Sequence, residues 1–274
     1  MEEWIKVVIL GIVEGITEYL PVSSTGHLII ASNFLELKES LRGVFEIFIQ
    51  IGAVVAVIAY YRAELLAQAT QARTSANVRH LWMAIVIAFI PAAAIGFLFS
   101  DWIDEVLFNP TNVAIALIVG GVMFIAIEYY QKRRPITAPE SDQSLEAQTQ
   151  SITFRQAIFI GCWQVLALFP GMSRSGMSIL GGMVGGLNRS VATQFSFYLA
   201  IPTLGLATLY TLIKNLDSIS ADDMGLLLLG AVISGIVSWF AIAWLLRFIS
   251  THTFIPFGIY RIVLGVIILV LMVS

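Results

Sequence analysis

The stretch "EGITEYLPVSSTGH", residues 14–27, decides how this chain is to be read. It gathers two carboxylates, the hydroxyls of Ser23, Ser24 and Thr25, and an imidazole in a chain that is 58% hydrophobic and only 12% charged. Soluble domains carry about a quarter charged residues. The composition therefore predicts a polytopic membrane protein, and acids at membrane depth are candidate functional groups by default.

Apolar runs long enough to cross about 30 Å of hydrocarbon centre on 45–61, 81–100, 112–130, 192–213, 224–249 and 255–273, which sets an expectation of six spans. An earlier apolar block starts at Trp4, after an acidic rather than basic opening and without a small-residue cleavage site, so it is expected to belong to the fold. One cysteine, Cys162, excludes an internal disulfide, and no His or Cys cluster has structural-zinc spacing. No basic stripe interleaved with aromatics points to nucleic acid.

The polar segment "QKRRPITAPESDQSLEAQTQSIT", residues 131–153, reads as a flexible linker between two halves. Shifting the second half by 150 residues lays Gly11 on Gly161, Glu14 on Gln164, Ser23 on Ser173, Thr25 on Ser175 and Gly26 on Gly176. Self-similarity of this kind predicts a repeat. Each repeat opens with an apolar arm, a polar tip and a second arm. In the first repeat the second arm, His27 to Leu35, would reach only about 13 Å as a helix, which favours a hairpin returning to the side it entered. Three full spans then remain per repeat, so the two repeats must run in opposite senses. The fold class expected is an all-α integral membrane protein, with six transmembrane helices plus two re-entrant helical hairpins in an inverted-topology repeat. Its parts are a first repeat at 1–131, a polar cytoplasmic linker at 132–152 and a second repeat at 153–274.

Lys and Arg favour cytoplasmic loops. This topology puts Arg62, Arg73, Arg79, Lys132, Arg133, Arg134, Arg155, Arg189 and Arg247 inside. Lys6, Lys38, Arg42 and Lys214 fall outside with the acidic Asp101, Asp104, Glu105, Asp217, Asp222 and Asp223. The two tips would then meet near the midplane.

Glu14 and Glu18 are four apart and share a helix face. They could hold a hard divalent cation or accept a proton. Ser23, Ser24, Thr25 and Gly26 precede a new helix, whose unpaired N–H groups and dipole favour an anion. Capping explains one hydroxyl but not three. His27, in the first turn, is placed to stay neutral and exchange a proton. The matching tip "PGMSRSG", residues 170–176, sets Arg174 among Ser173 and Ser175. A guanidinium fork suits phosphate, though Glu14 or Glu18 could instead be its partner. Glu46, Gln50, Gln164 and Arg261 are further polar residues in apolar surroundings, lining a cavity or pairing across helices. The glycine run "GGMVGG", residues 181–186, lacks the Lys-Ser/Thr ending of a P-loop and suits close helix packing.

These motifs, with "FEIFIQIGA" between them, resemble the bacterial undecaprenyl-diphosphate phosphatase family named for bacitracin resistance. The resemblance runs over nearly the whole chain. It implies a multi-pass hydrolase of the bacterial plasma (inner) membrane that converts undecaprenyl diphosphate to undecaprenyl phosphate, recycling the carrier lipid for peptidoglycan and other envelope polymers. The family's paired glutamates fall on Glu14 and Glu18, its Ser and His on Ser24 and His27, and its phosphate-binding Arg on Arg174. Its site is thought to open toward the outer face. The type-2 phosphatidic acid phosphatases share a Ser-Gly-His element, but their Lys and Arg-Pro motif and later His are absent here.

Expected partners are a prenyl diphosphate lipid, membrane lipids and a divalent cation, Mg2+ or Ca2+; a homo-oligomer is compatible with the sequence. Ser24, His27 and a water activated by Glu18 or His27 are all competent nucleophiles. The competing class is a prenyl-phosphate transporter or flippase, because inverted repeats with broken helices are also transporter architecture.

Overall fold

In lipid each backbone N–H and C=O must find its partner inside the protein, which a helix achieves within one segment. The structure, a computed structural model, describes residues 2–35, 37–38, 41, 44–133, 144–215 and 221–272. All regular structure among them is helical. Arg42, Arg134 and Asp217, and the side chains of Arg133, Asp104 and Asp222, lie outside the described residues.

The first half comprises α1 (Glu3–Thr17), α2 (Ser24–Phe34), α3 (Phe45–Tyr60), α4 (Arg62–Gln71), α5 (Ala76–Leu98), the single turn α6 (Ser100–Trp102) and α7 (Pro110–Arg133). The short α8 (Leu145–Gln150) leads to α9 (Phe154–Val165), α10 (Arg174–Val184), α11 (Arg189–Asn215), α12 (Ala221–Ile249) and α13 (Ile255–Met272). Four helices, in α5, α7, α11 and α12, are long and apolar enough to cross a membrane. A fifth is counted if α3 and α4, bent by 70° at their junction, form one span. The sixth run expected, 255–273, is α13, whose apolar stretch Ile255–Leu271 falls among the shorter helices. The chain is thus an all-helical, multi-pass membrane protein.

The two halves interlock. α1 lies along α12, α9 along α5, and α7 along α13, so long helices of each half pack against elements of the other. Small residues make these approaches close, as membrane helix packing favours. A Cβ on Gly52 of α3 would fall 1.9 Å from the Ala231 carbonyl oxygen of α12. One on Gly161 of α9 would fall 2.5 Å from the Ala88 carbonyl oxygen of α5. Neither helix pair could keep its spacing with a larger residue.

Within the polar connection, residues 145–150 are ordered. Ser144 caps α8, accepting from the Ala147 N–H. Buried Thr149 donates to Gln194 of α11 at 2.5 Å, and Asn188 donates to Gln148 at 3.0 Å. Composition read this segment as flexible because these partners lie some forty residues away in sequence.

At one end of the bundle Glu128 of α7, fully buried, accepts two bonds from Arg189, at 2.8 and 2.5 Å, and one from the Phe254 N–H at 2.8 Å. Three segments meet on one carboxylate. Arg189→Met strands that buried charge and is expected to cost about 3 kcal/mol, read as a lower thermal midpoint in detergent. The double variant with Glu128→Gln should recover part of the loss.

Candidate active site

The site is assembled where the two tips meet. α1 ends at Thr17, with the Glu18 N–H still bonded to the Glu14 carbonyl at 2.9 Å, and Pro21 prevents continuation. The chain then re-enters helix at Ser24. Ser23 takes φ 73°, and its hydroxyl accepts from the Gly26 N–H at 3.3 Å. The second tip repeats the device: Ser173 has φ 72°, and its hydroxyl accepts from the Gly176 N–H at 3.1 Å. Among the described residues these two serines are the only non-glycine positions with positive φ. A left-handed serine carries strain that persists only where the surroundings enforce it, and such positions cluster at functional sites.

The enforcing contacts cross between the tips. Arg261 of α13, fully buried, donates to the carbonyls of Pro21 at 3.2 Å, Gly171 at 2.9 Å and Ala116 of α7 at 3.4 Å. It joins the tips rather than lining a cavity. Ser175, also buried, donates to the carbonyls of Glu18 and Leu20, at 3.2 and 3.3 Å. The Ser175 hydroxyl therefore holds backbone, and it lies 3.1 Å from that of Ser173.

Glu18 is the junction. Its Oε1 receives Arg174 Nη2 at 3.0 Å, and its Oε2 receives the Ser24 hydroxyl at 2.7 Å. Of the two partners the sequence allowed Arg174, a carboxylate and a ligand, the carboxylate is present, and it is Glu18. Arg174 Nη1 donates to the Ser196 carbonyl at 3.1 Å, while Nε is buried without a partner. Tyr19 supports this arrangement, with its ring 5.8 Å from the guanidinium carbon and its hydroxyl on the Ala53 carbonyl at 2.7 Å.

Two buried polar side chains, Glu14 one turn before Glu18 and Gln164 on α9, have no hydrogen-bond partner: both carboxylate oxygens of Glu14 and both amide atoms of Gln164 are unpaired among the described residues. Orphans of this kind call for an explanation in a missing ion, water or ligand. Glu18, Glu46 and Arg174 lie within electrostatic reach of Glu14. Glu46 accepts from Ser32 at 3.1 Å, and Gln50, one turn on, is half-buried. Thr25 is half-buried beside Ser24, and Gly26 is buried against Leu117.

The His27 ring is engaged at both nitrogens. Nδ1 lies 2.7 Å from the Ser23 carbonyl, which can only accept, so Nδ1 carries a proton. Nε2 lies 2.7 Å from the hydroxyl of Tyr260 on α13, whose ring is stacked on the imidazole. Tyr260 is a residue that sequence reasoning passed over, since an aromatic inside an apolar run reads as a membrane anchor.

The profile described as "Bacitracin resistance protein BacA" matches residues 7–267. The chain belongs to this family. It is 48% identical over 262 residues to undecaprenyl-diphosphatase 1 of Chromobacterium violaceum, covering 95% of this chain and 93% of that one. It is 45% identical over 266 residues to undecaprenyl-diphosphatase of Cellvibrio japonicus, at 97% and 93% coverage. It is also 42% identical over 275 residues to that of Cupriavidus necator, at 97% and 94%.

For a divalent cation the donor set must be small. No group of three or more His, Cys, Asp or Glu side chains occurs among the described residues at metal-binding spacing. The two free oxygens of Glu14, with Glu18 one turn on, fit an ion such as Mg2+, which uses one or two carboxylates and completes its shell with water and substrate phosphate. An all-protein cage is not needed.

The inter-tip tie can be tested directly. Arg261→Lys keeps the charge but cannot span carbonyls on both tips and α7. A stability loss of about 2–4 kcal/mol is expected, from several charge-assisted bonds to buried carbonyls, seen in thermal unfolding. Activity should fall with it, because Glu18 and Arg174 are held together through the same tips.

Proposed function

We propose that this chain removes the terminal phosphate of undecaprenyl diphosphate, giving undecaprenyl phosphate and inorganic phosphate. It thereby recycles the carrier lipid for cell-wall synthesis and lowers sensitivity to bacitracin. The observation that carries the reading is Glu18, which bonds the Ser24 hydroxyl on one oxygen and Arg174 on the other. A hydroxyl, a proton acceptor and a phosphate-binding cation stand in contact. A carrier that only moved prenyl phosphate would need the cation but not the paired hydroxyl and carboxylate.

Ser24 is the nucleophile in this proposal, because its hydroxyl already points its proton at a carboxylate while both nitrogens of His27 are engaged. The Ser24 oxygen bonds the terminal phosphorus as its proton passes to Glu18. The bridging P–O bond breaks, and its electron pair leaves on the prenyl phosphate. Water then attacks the phosphorus of the phosphoserine, the Ser24 O–P bond breaks as Glu18 returns its proton to the Ser24 oxygen, and the water's oxygen and both its hydrogens leave with the phosphoryl group as inorganic phosphate. Arg174, free at Nε, stabilises charge on the transferring phosphoryl oxygens. Ser23, Thr25, Gly26 and Ser173 shape the cradle. Glu14 and Glu18 would hold the divalent cation, which supplies charge neutralisation to the phosphate oxygens.

The finer architecture belongs to the same proposal: six membrane-crossing segments and two re-entrant hairpins in an inverted repeat, with the site open to the outer face. The lengths of α1, α2, α9 and α10, 15, 11, 12 and 11 residues, support hairpins, since these helices rise only about 16–23 Å. The charge distribution of the loops supports the orientation.

Purified protein in detergent should release inorganic phosphate from undecaprenyl diphosphate, and chelation should stop the release until Mg2+ or Ca2+ is returned. Glu18→Gln should lower kcat about 10²- to 10⁴-fold, and Ser24→Ala about 10³-fold or more. Arg174→Ala should raise KM as well. Near-full turnover in Ser24→Ala would remove it as nucleophile; no phosphate release from the native protein, with lipid flux in vesicles, would replace the enzyme by a carrier.

A further inference from the structure

Two apolar grooves of similar size open on the surface of the helix bundle. One, of about 490 Å³ between α3 and α12, presents only apolar residues such as Val55, Ile236 and Phe240. The other, of about 500 Å³, runs between α1, α12 and α13, walled by Val13, Ile16, Leu20, Trp244 and Phe257. Its polar side chains are Thr17, His27 and Tyr260. Thr17 bonds its own helix at the Val13 carbonyl, 2.7 Å away. The groove therefore offers one polar feature to an occupant, the His27–Tyr260 pair, and that pair sits on the tip that carries Ser24. Ser24 and His27 are three apart in the first turn of α2, which makes them neighbours on one helix surface.

We propose that the groove between α1, α12 and α13 seats the first isoprene units of the substrate, and that the Tyr260 hydroxyl, held beside His27, donates to the proximal phosphate, the one esterified to the chain. This rests on the phosphatase reading and adds a division of the diphosphate to it. The terminal phosphate lies against Ser24, Glu18 and Arg174. The proximal phosphate, the leaving group, lies against the Tyr260 hydroxyl. Two different chemistries, one apolar and one anionic, are needed side by side to hold a prenyl phosphate, and this groove has both. The α3/α12 groove has the first alone and suits any acyl chain. His27 positions Tyr260: with Nδ1 donating to the Ser23 carbonyl, Nε2 accepts the Tyr260 O–H. Tyr260 is half exposed on the groove, so its O–H can turn from Nε2 to a phosphate oxygen.

The test uses the whole chain in detergent with two substrates that share the diphosphate, undecaprenyl diphosphate and methyl diphosphate, which has no isoprene unit to enter the groove. Ile16→Trp fills the groove from a position already 43% exposed. It should lower the long-to-short ratio of kcat/KM about tenfold, the equivalent of one or two buried methylenes. Trp244→Ala, on the opposite wall, should lower the same ratio. Val55→Trp, in the α3/α12 groove, should not. For the polar end, Tyr260→Phe should raise the inhibition constant of geranyl monophosphate about tenfold more than that of inorganic phosphate, matching loss of a bond to a charged group. An unchanged ratio in folded Ile16→Trp and Trp244→Ala proteins overturns the proposal, and so does an equal fall in Val55→Trp. Absence of phosphate release from either substrate by the native protein overturns the phosphatase reading, and this inference with it.

Discussion

Arg261 is the interaction on which the centre of the molecule depends. Two stretches of irregular backbone meet deep among membrane helices, where an unpaired carbonyl has no water to turn to. One fully buried guanidinium supplies donors to Pro21 on the first tip, Gly171 on the second and Ala116 on α7. A buried cation is costly in such surroundings. Here several carbonyl dipoles converge on it, and the same bonds bring the tips within reach of one another. Ser175 reinforces the join from the opposite direction.

With the tips joined, a single carboxylate can serve both. Glu18 comes from the first tip, Arg174 from the second and Ser24 from the helix that follows the first, and none of these positions is local to the others except Glu18 and Ser24. The strained serines, Ser23 and Ser173, turn the chain into α2 and α10 so that both helices start at the junction. Glu14 and the Arg174 Nε remain buried and unsatisfied around it. In a membrane interior such atoms cost several kcal/mol each.

Some residues misled because their signal is one of composition and their structure one of partners. The segment 145–150 is polar and reads as a linker, yet Thr149 and Gln148 find Gln194 and Asn188. Arg261 reads as a cavity or pairing residue because a cation in an apolar run suggests a carboxylate or ligand, whereas three backbone carbonyls hold it. Tyr260, one residue earlier, gives no signal at all. Its contact is with His27, 233 positions away.

The sequence alone determined that this chain is helical, that it lies in lipid, and that residues 14–27 and 170–176 carry the polar chemistry. Each of these follows from local pattern: length and polarity of runs, helix-breaking prolines, and hydroxyls placed before a helix. Tertiary structure alone decided which groups face which. It chose Glu18 over Glu14 as the partner of Arg174, gave Ser24 rather than His27 a carboxylate, and assigned Arg261 and Ser175 to holding the tips. Helix periodicity tells which side of a helix a residue occupies, whereas its partner depends on how whole helices from the two halves cross, and that is set by packing between segments far apart in the chain.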